Sequence, residues 1–357
     1  MLRNKKVISF SQSINNALIA AMKRDKRMLC YGLGITDPKG IFGTTLNLEE
    51  LFGRERVFDI PCSENALTGV AIGASLAGMR SVFTHQRLDF FLLAMDQLVN
   101  SAAKWYYMFG GQISVPITIR LIIGRGWGQG PTHSQNLQAW FAHIPGLKVV
   151  MPSTPQDARD LLLDSIFDPN PVIFLEHRWL HNVMGSVTQN KVRKIIGKAK
   201  IVKKGNHITV VAMSYLVNEA VIASNILFKY HNIKVEVIDL RTIKPIDYKL
   251  IFSSLKKTQN LLVLDTGHLT GSVSGEIIST VASKKLHLLK SSPRRLATPD
   301  ISEPTGYSLT KNFHVDSIKI VNEVLDMFKI KKKLNYFKKK NKEIHHDQPN
   351  INFSGPF

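Results

Sequence analysis

Short apolar runs alternate with amphipathic stretches along most of this chain. Residues 28–33, 57–60 and 116–123 are such runs, and their length and branched side chains are typical of buried strands. In residues 11–24, by contrast, apolar side chains recur every three or four positions, which predicts a helix. Strands that alternate with helices form βαβ units, so the pattern predicts an α/β fold with mainly parallel sheets.

The alternation of predicted strands and helices is interrupted once along the chain. Residues 178–206 are polar, with interspersed glycines and lysines, and the alternation resumes after them. We therefore predict two domains, each a mainly parallel sheet flanked by helices. The predicted parts are a first domain at 5–180, a linker at 181–206, a second domain at 207–328 and a basic, flexible tail at 329–357.

Composition narrows the class of protein. The chain has 357 residues, 44% of them hydrophobic, and two cysteines, too few for a disulfide framework or a structural zinc site. We predict a cytoplasmic protein without a secretory signal or a membrane-spanning helix. The net charge of +20 attracts anionic ligands or an acidic partner. No nucleic-acid-reading motif accompanies it, so nucleic-acid binding is not expected unless the lysine-rich tail binds in a salt-sensitive manner.

Residues 59–78 carry the strongest candidate chemistry. They predict a strand end, a short turn and a helix of Gly, Ala and Ser with one carboxylate, Glu64, in its first turn. Small residues let a backbone or a flat ligand approach closely, and the helix dipole stabilises the carboxylate. Glu64 is therefore a candidate acid that faces a neutral heterocycle, although helix capping alone would also explain it.

Two further candidates lie after predicted strands. Residues 124–135 form a glycine-rich loop that ends near His133, a candidate acid, base or oxyanion partner, or simply a histidine bonded to backbone. Phe90 opens a single long helix predicted over 89–108, where core packing is the alternative role. The sequence has no metal cluster of His or Cys, no Ser-His-Asp arrangement, and no Gly-Asp-Gly with a downstream Asn to hold a diphosphate through magnesium.

Several blocks together resemble the β subunit of the decarboxylating component of thiamine-diphosphate-dependent 2-oxo acid dehydrogenases of the pyruvate and branched-chain type. These enzymes belong to the transketolase-like superfamily. The resemblance extends from about residue 5 to 328, and the block at 96–108 is its most specific part. The other blocks are Ser63-Glu64 with the helix that follows, His133-Ser134-Gln135, residues 143–150, residues 239–245 and Gly275-Glu276-Ile277.

The resemblance implies a pyrimidine-binding domain followed by a transketolase C-terminal-like domain. It implies thiamine diphosphate as cofactor and an α subunit that holds the diphosphate and magnesium, which would account for the missing anchor. An α2β2 heterotetramer and acyl transfer to a lipoyl acyltransferase follow from the same likeness. By position, Glu64 matches the glutamate that bonds N1′ of the aminopyrimidine, Phe90 the ring stacked on it, and His133 the histidine near the thiazolium. Ile117, Ser165, Asp168 and Asn170 match positions around a structural potassium ion in some members.

The chain also departs from the family pattern. Leu33 replaces a usual acid, and Leu93 replaces a frequent polar residue. Where the family often has Glu-Phe-Met-Thr before the stacking Phe, this chain has the segment from Thr84 to Asp89. We expect Leu33, His85, Arg87 and Leu93 to line the pocket and alter the substrate, with Arg87 and Arg125 receiving an extra anionic group. Two alternatives stay open: a split transketolase or synthase that moves a two-carbon unit, and a non-catalytic structural partner whose pocket has drifted.

Overall fold

The computed structural model describes residues 5–124, 129–188, 193–310 and 312–331. The described residues fall into two units. Unit 1 lies within Met1–Gly124, Thr132–Ile196 and Thr242–Pro245, and unit 2 lies within Arg125–Pro131, Gly197–Arg241 and Ile246–Phe357. Each unit has a central sheet of its own.

The elements follow one another in the alternating order that the sequence predicts. The strands are β1 (Lys5–Ser9), β2 (Met28–Gly32), β3 (Val57–Phe58), β4 (Arg80–His85), β5 (Ile117–Ile123), β6 (Lys148–Val150), β7 (Val172–His177), β8 (Met184–Thr188), β9 (Lys200–Lys203), β10 (Ile208–Ala212), β11 (Val235–Asp239), β12 (Thr242–Lys244), β13 (Leu261–His268) and β14 (Arg294–Thr298). The α-helices are α1 (Phe10–Arg24), α2 (Leu48–Phe52), α3 (Glu64–Leu76), α4 (Leu88–Phe91), α5 (Ala103–Met108), α6 (Gln138–His143), α7 (Pro155–Ile166), α8 (Leu216–His231), α9 (Tyr248–Thr258), α10 (Val273–Lys285), α11 (Tyr307–Thr310) and α12 (Ser317–Met327).

Unit 1 is built on a seven-stranded sheet in the order β12-β6-β7-β5-β4-β2-β3. All of its pairings are parallel except that of β12 with β6. Every residue of β5 is buried, as expected for a central strand whose two faces are both covered by other elements. The carboxyl ends of β4, β5 and β7 therefore lie side by side, and the segments that follow them begin at one edge of the sheet.

Unit 2 has a five-stranded sheet in the order β14-β13-β10-β11-β9, in which only β9 is antiparallel. Both units are thus mainly parallel sheets with helices packed against them, and the predicted fold class is confirmed. In the described part of the chain, no helix is both long and apolar enough to cross a membrane.

Two local predictions differ from the structure. The single helix predicted over 89–108 is wrong, because α4 is followed by a 3-10 turn at Leu92–Ala94, a π-helical stretch at Gln97–Ala102 and then α5. The 3-10 and π-helical pieces are three and six residues long, too short for their own periods to be read from the sequence. The segment 181–206 contains β8, which pairs with β1, and β9. Residues 332–357 of the predicted tail lie outside the described residues.

Candidate active site

Glu64 is the first residue of α3, as its place in the sequence predicts. The turn before it is fixed by Asp59, whose carboxylate accepts hydrogen bonds from the Ile35 amide (2.7 Å) and the Thr36 hydroxyl. The preceding residue, Ser63, makes no side-chain capping bond. The helix therefore begins with amide groups that its own cap leaves available for an acceptor.

The Glu64 side chain is half-buried and forms no hydrogen bond or ion pair with any residue in the described ranges. The capping role that the sequence left open therefore has no bond to support it. The Glu64 carbonyl is engaged by the Thr68 hydroxyl at 2.7 Å, as in a regular helix turn. A carboxylate in this position can accept or donate one strong hydrogen bond to a ligand.

Phe90 and His133 meet, although they are far apart in the sequence. Their ring centroids are 5.4 Å apart and their planes are perpendicular, an edge-to-face arrangement. Phe90 is half-buried and His133 is exposed, with its Nδ1 atom 3.0 Å from the Thr132 hydroxyl. The amide side chain of Gln135 donates to Asp89 at 2.8 Å and holds this loop against α4. Since α3 also packs against α4, the elements that carry the three candidates are neighbours.

The loop after β5 begins at a position that only glycine fits. Gly124 has φ of 74°, and a Cβ there would lie 2.2 Å from Nε2 of His177. The imidazole of His177 thus packs directly on the backbone where the loop leaves the sheet. Residues 125–128, including Arg125, lie outside the described residues.

The positions that depart from the family pattern differ in exposure. His85 is buried at 5% exposure between Phe83 and Phe91, at ring distances of 4.2 and 4.9 Å, and its place in the pocket lining stays a prediction. Alternation along β4 places it on the same face as Phe83. Burial lowers its pKa to about 3, so it is neutral at physiological pH. Leu33 is half-buried and Leu93 is 71% exposed.

The structure contains a buried ion pair that the sequence pattern did not predict. Arg120, in the middle of β5, donates to Glu176 at 2.6 Å, and both side chains are fully buried. Arg120 also donates to the hydroxyls of Thr44 and Thr84, at 3.0 and 3.4 Å. Burial raises the pKa of Glu176, and the guanidinium of Arg120 opposes that rise. An arginine inside an otherwise apolar strand was the available signal, because a buried cation needs a partner.

The residues matched to a potassium site lie around one turn. Ser165 lies in the last turn of α7, and the Asp168 carboxylate accepts from the Asn170 amide (2.9 Å) and from Lys148 (2.5 Å). Arg80 donates to the backbone carbonyl of Asp168 at 3.2 Å and to that of Ile166 at 2.6 Å. Ile117 begins β5. Two cationic side chains therefore already bind acceptors of this turn.

Metal ligands are sparse elsewhere. Over the described ranges, no group of three or more His, Cys, Asp or Glu side chains is placed to hold a metal ion.

Comparisons with known proteins give the class of both units. Residues 6–183 match the family "Transketolase, pyrimidine binding domain", and residues 197–320 match "Transketolase, C-terminal domain". A solved structure titled "Split gene transketolase, inactive beta4 tetramer" has the same fold, with a TM-score of 0.73 and 17% identity over 91% of this chain and 99% of that one. The protein thus consists of transketolase-type domains.

Relatives of higher identity define the family. The β subunit of acetoin:2,6-dichlorophenolindophenol oxidoreductase from Bacillus subtilis is 36% identical over 90% of this chain and 97% of its own. The pyruvate dehydrogenase E1 component subunit β of Rickettsia bellii is 36% identical, with 91% and 99% covered. The 2-oxoisovalerate dehydrogenase subunit β of Bacillus subtilis is 37% identical, with 88% and 96% covered. The chain belongs to this thiamine-diphosphate-dependent family of 2-oxo acid dehydrogenase β subunits, and the resemblance is confirmed.

Proposed function

We propose that this chain is the β subunit of a thiamine-diphosphate-dependent 2-oxo acid dehydrogenase and contributes the aminopyrimidine half of the active site. Relatives named as β subunits of pyruvate and 2-oxoisovalerate dehydrogenases support this proposal. In it, residues 5–180 form the pyrimidine-binding domain and residues 207–328 the C-terminal domain. The matched family ranges, 6–183 and 197–320, lie close to these bounds.

The free carboxylate of Glu64 carries the proposal. A half-buried acid at a helix start, without a partner in the described part of the chain, suits a ligand that offers a ring nitrogen. Thiamine diphosphate, when bound, supplies the carbon nucleophile and the electron sink for decarboxylation. Glu64 would hold a proton at N1′ of the aminopyrimidine.

Phe90 and His133 would complete this half of the site. The half-buried ring of Phe90 offers an apolar surface on which a flat heterocycle can stack. His133 is exposed and bonded at Nδ1 to the Thr132 hydroxyl, so its Nε2 atom is directed elsewhere. From there it would donate a proton to a negative oxygen that develops on the substrate.

An exposed row of small and apolar residues on α3 supports the proposal that a partner subunit packs there. Ala66, Val70, Gly73 and Ala77 follow the i, i+4, i+7 spacing of one helix face and are all exposed, Val70 to 59%. Small and apolar residues in this pattern suit close packing against another chain. We propose an α subunit as the occupant, in an α2β2 assembly, with the α subunit holding magnesium and the diphosphate. A lipoyl acyltransferase would then take the acyl unit.

A structural potassium ion at the turn of Ser165, Asp168 and Asn170, near Ile117, is part of the same proposal. It would share carbonyl acceptors with Arg80, so its contribution to stability would be modest. A higher midpoint of thermal unfolding in potassium chloride than in choline chloride is expected. Equal midpoints would remove the ion from the proposal.

The decisive experiment compares two glutamates in equivalent positions. Glu64 and Glu276 both lie in the first turn of a 13-residue helix, but the Glu276 carboxylate accepts from the Thr280 hydroxyl. The chain is purified alone and assembled with its α subunit, and decarboxylation of 2-oxo acids is measured with thiamine diphosphate and magnesium. We expect activity only in the assembly, a loss of at least about 100-fold in kcat for Glu64→Gln, and a change below about twofold for Glu276→Gln.

Full activity of the chain alone would contradict the half-site. Full activity of assembled Glu64→Gln would contradict the role of this carboxylate, while calorimetry with thiamine diphosphate would report whether the cofactor still binds.

A further inference from the structure

Arg87 is a buried cation with an unused donor. Its side chain is 3% exposed, and its Nη1 atom donates to the Gly124 carbonyl at 2.9 Å. Its Nη2 atom is buried without a hydrogen-bond partner, and no carboxylate of the described residues lies within 4 Å of the guanidinium. Burial lowers the pKa of Arg87 to about 10, which leaves it charged at neutral pH. A buried, charged N–H that binds nothing is costly, so it indicates a ligand.

A second buried cation lies beside the first. Arg178 is 5% exposed, and its guanidinium carbon is 4.4 Å from the centroid of the Phe42 ring, while that of Arg87 is 5.7 Å from the same centroid. The two charges repel each other, and the charge of Arg178 further lowers the pKa of Arg87. Like charges placed close together in a protein interior are common at functional sites, and an anion bound between them relieves their repulsion.

The neighbouring acids do not pair with Arg87. Glu176 is paired with Arg120 at 2.6 Å. Asp89 raises the pKa of Arg87 through its charge, but its Oδ1 atom accepts from Gln135 and its Oδ2 atom is buried without a hydrogen-bond partner. Burial and the surrounding cations lower the pKa of nearby His181 well below its usual value, so this imidazole adds no charge.

The Phe42 backbone is strained at the same place. Its φ angle is 50°, in the left-handed region that large side chains rarely adopt. Such a conformation costs about 1 kcal/mol or more and persists where a functional arrangement needs it. Here it places the aromatic ring against both guanidinium groups.

The cationic cluster is connected to the proposed active site. Arg87 directly precedes α4, which carries Phe90, and the Phe90 amide donates to the Arg87 carbonyl. The Gly124 carbonyl that binds Arg87 begins the loop that continues to His133. Arg87 therefore joins the two segments that bear the proposed stacking ring and the proposed proton donor.

We propose that Arg87, with Arg178 beside the same Phe42 ring, binds a second anionic group of the 2-oxo acid substrate, either a carboxylate or a phosphate. The planar guanidinium fork pairs with both groups. The inference rests on the proposed function and names its substrate class: a 2-oxo acid with a negatively charged side chain, in preference to one with an apolar side chain.

The kinetic test uses substrates that differ mainly in charge. The assembled enzyme is offered 2-oxopentanoate, 2-oxoglutarate and 3-phosphonooxypyruvate. We expect kcat/KM for one of the two anionic substrates to exceed that for 2-oxopentanoate at least about tenfold, and which one does so distinguishes carboxylate from phosphate.

In Arg87→Met this ratio of kcat/KM values should fall about tenfold or more through a higher KM for the anionic substrate, and in Arg87→Lys it should fall less. The control Arg54→Met removes a side chain that is 91% exposed and keeps the ratio. A preference of the wild-type enzyme for 2-oxopentanoate would overturn the inference while leaving the proposed function intact.

A binding test on the full chain separates the two proposals. We expect glutarate or inorganic phosphate to raise the midpoint of thermal unfolding in a saturable manner, and Arg87→Met to abolish the shift. Arg87→Lys keeps the charge and serves as the control for folding. A shift retained in this variant shows that its loss in Arg87→Met reflects loss of anion binding and not loss of folding. If no 2-oxo acid is decarboxylated by the assembly but this shift occurs, the proposed function fails and the anion site stands. An equal shift in Arg87→Met and the wild type overturns the site.

Discussion

The two units treat buried charge differently. In unit 2, the buried carboxylate of Glu236 accepts from the Ser254 hydroxyl and from Lys257, and the buried carboxylate of Asp265 accepts from two backbone amides. In unit 1, the guanidinium of Arg87 and the carboxylate of Glu64 each keep a polar atom that no described residue binds. Complete networks stabilise a fold, whereas incomplete ones are found where ligands bind. The contrast agrees with the proposal that the ligand site lies in unit 1.

Arg120 and Glu176 form a fully buried ion pair in unit 1, and breaking it should have the largest effect on stability. We expect Arg120→Met to lower the free energy of unfolding by about 3–5 kcal/mol, because it leaves Glu176 buried and uncompensated. Denaturant unfolding of the purified chain measures this change. Lys257→Met in unit 2 is the matched case, since Lys257 is 47% exposed and Glu236 keeps the Ser254 hydroxyl. It should cost about 1 kcal/mol or less.

A double substitution tests whether the uncompensated carboxylate of Glu176 causes the loss of stability. If the cost of Arg120→Met arises from the stranded carboxylate, Arg120→Met combined with Glu176→Met should recover much of the lost stability. Additive losses in the double variant would show that Arg120 acts through its bonds to the two threonines instead.

The sequence predicted the parts of the fold that local pattern controls. An apolar run such as β5 is recognisable because a central parallel strand is buried on both faces. By contrast, β9 was missed, since half-exposed lysines on an edge strand interrupt any apolar run. The π-helical stretch before α5 was missed as well, because six residues within a longer helical segment are too few to reveal a separate period.

In the candidate site, too, the residues marked by local sequence could be predicted, and those brought together by the fold could not. Glu64 stands out in the sequence because one carboxylate opens a helix of small residues. The pairing of Phe90 with His133, or of Arg120 with Glu176, joins residues that are more than 40 positions apart, and only the order and register of the strands bring them together. The Arg87 and Arg178 cluster depends in addition on the loop that carries Phe42, whose course no periodicity describes.

The buried carboxyl group of Glu219, in unit 2, destabilises the fold when it is ionised at neutral pH. Burial and the charge of Asp316 raise the pKa of Glu219 to about 7, against a 2.8 Å bond from the Ser317 amide. The folded chain therefore binds a proton between pH 4.5 and 7 that the unfolded chain does not, so stability falls as pH rises through this window. We expect Glu219→Gln to reduce this fall by about 1–3 kcal/mol in unfolding measured from pH 5 to 8. The exposed Glu276→Gln should leave the slope as it is, and a slope unchanged in Glu219→Gln would refute the assignment.

His85, in unit 1, should give a pH dependence of stability that is opposite in direction to that of Glu219 and smaller in size. Its pKa of about 3 in the folded chain lies below the value of 6.5 for an ordinary histidine, so below pH 6.5 the unfolded chain binds a proton that the folded chain does not. Stability contributed by the neutral imidazole is thus lost as pH falls. Between pH 8 and 5.5 this amounts to about 1–2 kcal/mol, and His85→Phe, which keeps a ring between Phe83 and Phe91, should remove it. The comparison is made by denaturant unfolding at both pH values, with His287→Phe, at an exposed position of unit 2, as the control. If acid destabilises His85→Phe as much as the wild type, the proton is taken up elsewhere and the buried histidine is not its source.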